Sequence, residues 1–187
     1  ATYNGHQESL CCLDSGKIYA IQIDGGSPGD EGQYIIEYIQ ELTSDAGDVF
    51  ANSSNGNYAD VNTGDTLYVC YNDTITPGIL VNGIGQSTAS FPSCISPGYV
   101  IHQSNPVPNP VMNSGFTYVD SLQGNGVFIN NGNGSGSFGN PAFNILYYLS
   151  PAADQPASWG TFNCSTSTVE NGIPIVFLQS LTANFSY

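Results

Sequence analysis

An all-β domain, an antiparallel β-sandwich or barrel of jelly-roll or Greek-key type with long Gly/Asn/Pro-rich loops, is what the sequence predicts. Three observations lead there. Short runs rich in Ile, Val, Tyr, Phe and Thr recur along the chain, about ten of them, at the length of strands. Clusters of Gly, Pro, Asn, Asp and Ser separate them, with 22 Gly and 11 Pro in the chain, and these residues supply the backbone conformations of turns. Helical spacing of apolar residues surfaces in one segment only. A length of 187 residues supports one buried core rather than two, so residues 1–187 are expected to form a single domain.

In chain order, residues 1–16 form an N-terminal arm, and "KIYAIQI" (Lys17–Ile23) is the first expected strand. The segment "QYIIEYIQEL" (Gln33–Leu42) is the ambiguous one. Tyr34, Ile35, Tyr38, Ile39 and Leu42 make a helical stripe. Its β-branched and aromatic content, and the repulsion of Glu37 and Glu41 at helical i,i+4 spacing, favour a strand. Further strands are expected at Thr66–Asn72, Gly78–Ile84, Gly98–Ser104, Phe116–Leu122, Gly126–Asn130, Phe143–Ser150, Gly160–Thr166 and Ile173–Tyr187. Ser44–Asp65 reads as an acidic loop. Gln103–Gly115, with Pro106, Pro108 and Pro110, reads as an extended edge path, because proline donates nothing to a ladder. Gln123–Pro141, dense in Gly and Asn, reads as sheet-end turns.

Charge narrows the classes of partner. Fifteen Asp and Glu face a single cation, Lys17, for a formal charge of -14. No basic stripe exists to release counterions from a polyphosphate, so nucleic acid is excluded as a partner. No apolar run approaches the roughly 20 residues of a membrane span, which argues against membrane insertion. The N-terminus lacks a charged region followed by an apolar one, so the chain reads as a mature soluble product.

Five cysteines, Cys11, Cys12, Cys70, Cys94 and Cys164, suit an oxidising, extracellular compartment. Two bonds among five cysteines allow many arrangements. The favoured pairs are Cys70 with Cys94, and Cys164 with Cys11 or Cys12, the latter tying down the arm. Sequons at Asn52, Asn72, Asn133, Asn163 and Asn184 agree with secretion and would lie on the surface if glycosylated.

Candidate chemistry follows from residue type. "IDGGSPGDEG" (Ile23–Gly32) places Asp24, Asp30 and Glu31 in a glycine-rich loop, the oxygen-rich composition a hard cation such as calcium or magnesium requires, although EF-hand spacing is missing. Asp45, Asp48, Asp60 and Asp65 make a second acidic group of the same generic kind, equally well explained as turns. His6 and His102 are the only histidines; no G-x-S-x-G elbow and no zinc spacing accompany them. Glu37, Glu41 and Glu170 are the acids to examine for glycoside hydrolysis. One Trp, 12 Tyr and 9 Phe are the more informative feature. Trp159, Tyr147, Tyr148, His102 and Tyr38 are the candidate ring-binding residues, with Trp159 either a stacking platform or a plug over the core.

In texture, "GDTLYVCYN" (Gly64–Asn72), "GTFNCSTSTVENG" (Gly160–Gly172), the Asn/Gly-rich turns and the near absence of Lys resemble small secreted β-rich proteins of filamentous fungi and mushrooms, mushroom chromoproteins among them. The resemblance runs the whole length and carries over no site residues. It implies a secreted protein with a bound chromophore. The expected function is a non-enzymatic binding protein holding a small planar or aromatic ligand, a pigment included, with a cation bridging ligand and carboxylates. The alternatives are a lectin-like glycan-binding protein and a secreted glycoside hydrolase.

Overall fold

The computed structural model describes residues 18, 20, 46–80, 95–155, 159–163 and 167–181. Their strands are β1 (Asp48–Ser53), β2 (Tyr58–Asp60), β3 (Leu67–Val69), β4 (Thr74–Leu80), β5 (Ser96–His102), β6 (Tyr118–Gln123), β7 (Phe128–Ile129), β8 (Leu146–Asp154), β9 (Thr168–Val169) and β10 (Ile173–Phe177). No α-helix occurs among the described residues; one 3-10 turn spans Val111–Asn113. A smaller sheet runs β2-β1-β4-β7 and a larger one β3-β10-β8-β5-β6, with β9 alongside β8. Neither closes on itself, so the architecture is a sandwich and not a barrel. All pairings are antiparallel except β10 with β3, which is parallel through Ile175↔Leu67 to Phe177↔Val69.

Strand alternation builds the core. Val49, Ala51, Ala59, Ile75 and Phe128 from the smaller sheet meet Leu67, Val69, Tyr99, Ile101, Tyr147, Leu149, Ile173, Ile175 and Phe177 from the larger. Because side chains switch faces at every residue, the neighbours of these positions point away from the core. On the larger sheet the outward set is Val100, His102, Tyr148, Ser150, Ala152 and Asp154, and most of it is buried too. The covering layer comes from the segments 103–117 and 159–163, through Val107, Val111, Phe116, Trp159 and Phe162. A central strand buried on both faces reads as a continuous apolar run, and β8 fits that description at Leu149–Ala153.

Two expectations change. Ser44–Asp65 is not a loop throughout: β1 and β2 form a hairpin within it, with Asn52 opposite Tyr58 and Phe50 opposite Asp60. The turn carries Asn55 and Gly56, at φ +89 for the glycine, the composition of a tight hairpin. Conversely, 160–163, expected to begin a strand, is turn and coil. Gly160 and Phe162 both have positive φ, +83 and +49, which carries the Phe162 ring down onto the sheet. β9 (Thr168–Val169) falls between two expected segments, and the remaining described strands overlap theirs, while Lys17–Ile23 and Gln33–Leu42 lie almost wholly outside the described residues, as does 81–94.

Candidate functional site

The rings singled out from sequence divide between two faces. Tyr147 belongs to the inter-sheet core, 1% exposed, its hydroxyl accepting the Ala142 N–H at 3.0 Å. His102, Tyr148 and Trp159 lie on the covered outer face of the larger sheet, and Tyr38 is outside the described residues. Trp159 sits over Gly98: a Cβ there would meet the indole at 2.5 Å, so the glycine makes room for the ring. Phe162, Phe116 and Tyr118 continue the layer, with Phe162 edge-on to both of the others. Trp159 is therefore a plug and not an exposed platform.

Loop 159–163 is pinned by one carboxylate. Asp154 is fully buried and accepts hydrogen bonds from the Ser167 hydroxyl (2.6 Å), the Gln155 N–H (2.8 Å) and the Phe162 N–H (2.9 Å). Three donors replace the water that a buried carboxylate loses.

His102 and Ser150 are diagonal neighbours on the same face, Nε2 to Oγ at 2.6 Å. That is the spacing of a base and its nucleophile, yet the surroundings are those of a structural pair. His102 is 1% exposed and Ser150 fully buried, beneath Phe116, whose ring centroid is 5.0 Å from the imidazole. Nδ1 has no hydrogen-bond partner of ordinary geometry, so no carboxylate orients the ring as in a triad. Asp154 stands four residues from Ser150 along β8, ~13 Å away. Burial lowers the His102 pKa to about 4, with the backbone of Ser104 pulling weakly the other way. The tautomer decides which of the two groups donates, and burial beneath Phe116 seals the hydroxyl from a substrate in either case.

An open feature among the described residues lies elsewhere. A cleft of about 600 Å³ is lined by Cys70, Tyr71, Asn144, Leu178, Gln179, Ser180 and Leu181, where β3 and β10 both end. Its floor is a clasp around Asn130, which is 3% exposed. The Asn130 amide donates to the carbonyls of Val69 and Leu178, both at 2.9 Å. Its backbone exchanges hydrogen bonds with the following turn, Asn72 N–H to Asn130 O at 2.9 Å and Asn130 N–H to Asp73 O at 3.0 Å. Asp73 fixes that turn from below, accepting from the Asn55 amide (2.7 Å) and the Cys70 N–H (3.0 Å). Tyr71, 46% exposed, packs against Gly132, where a Cβ would meet the ring at 2.5 Å. Thus one exposed ring, two leucines, three uncharged polar residues and a thiol share the rim, and no charged side chain lines it among the described residues.

Cys70 is a free, exposed thiol in the cleft wall, and its expected disulfide partner, Cys94, lies outside the described residues. Cys94, Cys11, Cys12 and Cys164 are outside the described residues, as are Asp24, Asp30, Glu31, His6, Glu37, Glu41 and Asn184. Among the described residues no group of three or more His, Cys, Asp or Glu could hold a metal. In the second acidic group, Asp60 serves its own turn, its carboxylate accepting from the N–H groups of Thr63 (2.9 Å) and Asn62 (2.7 Å). The Thr63 contact, with that of Asn62, holds the Asp60 carboxyl below its ordinary range against the opposing effect of burial. Sequence reasoning missed Tyr71, Asn144 and Leu178–Leu181 because they come from three separate chain segments. No protein-family model, curated protein or solved structure matches the chain.

Proposed function

We propose that this is a secreted, non-enzymatic binding protein that holds a small, flat, uncharged ligand in the cleft beside Tyr71. The observation that carries the reading is the lining of that cleft. A half-exposed ring braced on Gly132, next to Leu178 and Leu181, offers a surface for stacking. Asn144, Gln179 and Ser180 add donors and acceptors that would orient polar edges. In a chain of formal charge -14, an uncharged cleft favours neutral over charged ligands. A pigment is one ligand of this class. An enzymatic reading has less support. The His102–Ser150 pair is sealed, and Glu170, the one described member of the glutamate set, follows the two-residue β9 with its N–H bonded to Pro151 O at 3.1 Å.

Native mass spectrometry of protein from its natural source, beside the denatured mass, tests the reading. An excess mass in the wild type that disappears in Tyr71→Ala is the expected result, and equal native and denatured masses would sink it. Binding on a glycan array would favour the lectin alternative, and release of reducing sugar the hydrolase.

A further inference from the structure

We propose that Asn52 carries an N-linked glycan whose first sugar packs on the ring pair Phe50–Tyr58. On the outer face of the smaller sheet two rings stand together with no protein partner over them among the described residues. Phe50 and Tyr58 stack with centroids 6.1 Å apart and planes at 30°; Tyr58 is 47% exposed. Phe50 lies across Gly78, its partner on β4, where any Cβ would collide with the ring. The pair is thus held flat against the sheet.

Asn52 is placed at this platform twice over. It stands two residues beyond Phe50 on β1, so both side chains leave the same face. It is also the direct cross-strand partner of Tyr58, within the 4.5–5.5 Å Cβ separation typical of such pairs. Asn52-Ser53-Ser54 is a sequon. Asn52 is exposed, and its amide makes no hydrogen bond among the described residues. On its other side stands Thr76, also exposed. The asparagines whose amides hold loops together, Asn55, Asn130, Asn131 and Asn140, are all outside sequons. Asn72, Asn133 and Asn163 are exposed too but lie in turns or coil, outside the strand ladders.

The chemistry is that of the eukaryotic secretory route. The Asn52 amide nitrogen bonds to C1 of the reducing-end N-acetylglucosamine of a lipid-pyrophosphate-linked oligosaccharide. The C1–oxygen bond to phosphate breaks, the lipid pyrophosphate leaves with the electron pair, and the amide gives up one proton. In the folded product the apolar C–H face of that sugar covers rings that otherwise face water.

Full-length protein secreted from a eukaryotic host is digested, treated with peptide N-glycosidase in heavy-oxygen water, and read for Asn→Asp conversion at each sequon. Intact and enzymatically deglycosylated samples are melted for the wild type, Phe50→Leu, Tyr58→Ala and Asn52→Gln. Conversion at Asn52 is expected, together with a loss of about 2–4 °C in Tm on deglycosylating the wild type. That loss should shrink in Phe50→Leu and Tyr58→Ala and vanish in Asn52→Gln. An unmodified Asn52, or an equal loss with and without the rings, overturns the proposal. Binding of soluble chitooligosaccharide by Asn52→Gln but not by Asn52→Gln/Tyr58→Ala also overturns it, by assigning the rings to a ligand in trans.

Discussion

Two ring-bearing regions of this protein have opposite fates. On the outer face of the larger sheet, Trp159, Phe162, Phe116, Tyr118 and His102 are roofed by segments 103–117 and 159–163. At the end of β3, Tyr71 stands in an open cleft with no second ring in its lining. The difference is made by what lies beneath and above. The roofed cluster is tied to the sheet by a buried carboxylate, Asp154, and by the Tyr118 hydroxyl donating to Gly160 O at 3.0 Å. The cleft has a polar clasp below it, and its Tyr71 is nearly half exposed. Aromatic richness alone therefore does not decide whether a ring is open to a ligand; what lies above and below it does.

Removing a ring from each region separates them most sharply. Phe162→Ala should cost about 3–5 kcal/mol of stability, the range for truncating a buried aromatic, read from the denaturant midpoint. A loss under about 1 kcal/mol would mean that the roof is not part of the folded core.

Acid should attack the roofed cluster next. The His102 pKa falls from 6.5 to about 4 on folding. Above pH 6.5 the imidazole is neutral in both folded and unfolded chains, and the stability it permits is fully present. Between 6.5 and about 4 the unfolded chain takes up a proton that the folded one refuses, so stability falls, by roughly 3 kcal/mol at most. Asp120 works in the opposite direction, since burial raises its carboxyl pKa, and so does relief of the chain's self-repulsion as carboxylates are protonated. A plot of Tm against pH should therefore decline below 6.5 in the wild type and flatten in His102→Gln. A parallel decline in both would remove His102 as the cause.

At the cleft, Asn130→Ala should cost about 1–3 kcal/mol, because the carbonyls of Val69 and Leu178 lose their donor. Tyr71→Ala should move stability by no more than about 0.5 kcal/mol while abolishing the ligand mass. If Tyr71→Ala unfolds the protein, the cleft is part of the core and the contrast fails.

Much of the fold was legible because its central strands announce themselves. Within the expected strand Gly98–Ser104, the stretch Gly98–Ile101 is apolar and buried on both faces, for the physical reason that both faces are covered. The β1–β2 hairpin was missed because its inward residues are mostly small: Val49, Ala51 and Ala59 fill the core side, while Asp48, Asn52 and Asn57 dominate the text of the segment. Asn55-Gly56 was the signal that could have found it. Segment 160–163 misled in the other direction, its Thr-Phe pair suggesting a strand where positive φ at Gly160 and Phe162 forbids one. The cleft was out of reach for a different reason. Its walls are set by where β3 and β10 stop, and that depends on a pairing between residues more than a hundred positions apart.

That pairing also governs the order of events at birth. The tenth strand slots between β3 and β8, so as the chain leaves the ribosome the middle of the larger sheet stays vacant until Ile173–Phe177 has emerged. Until then β3 and β8 both present raw edges, the condition under which nascent β-proteins adhere to one another. A cell making this protein would need to shelter the chain through Gly172 before the sheet can close.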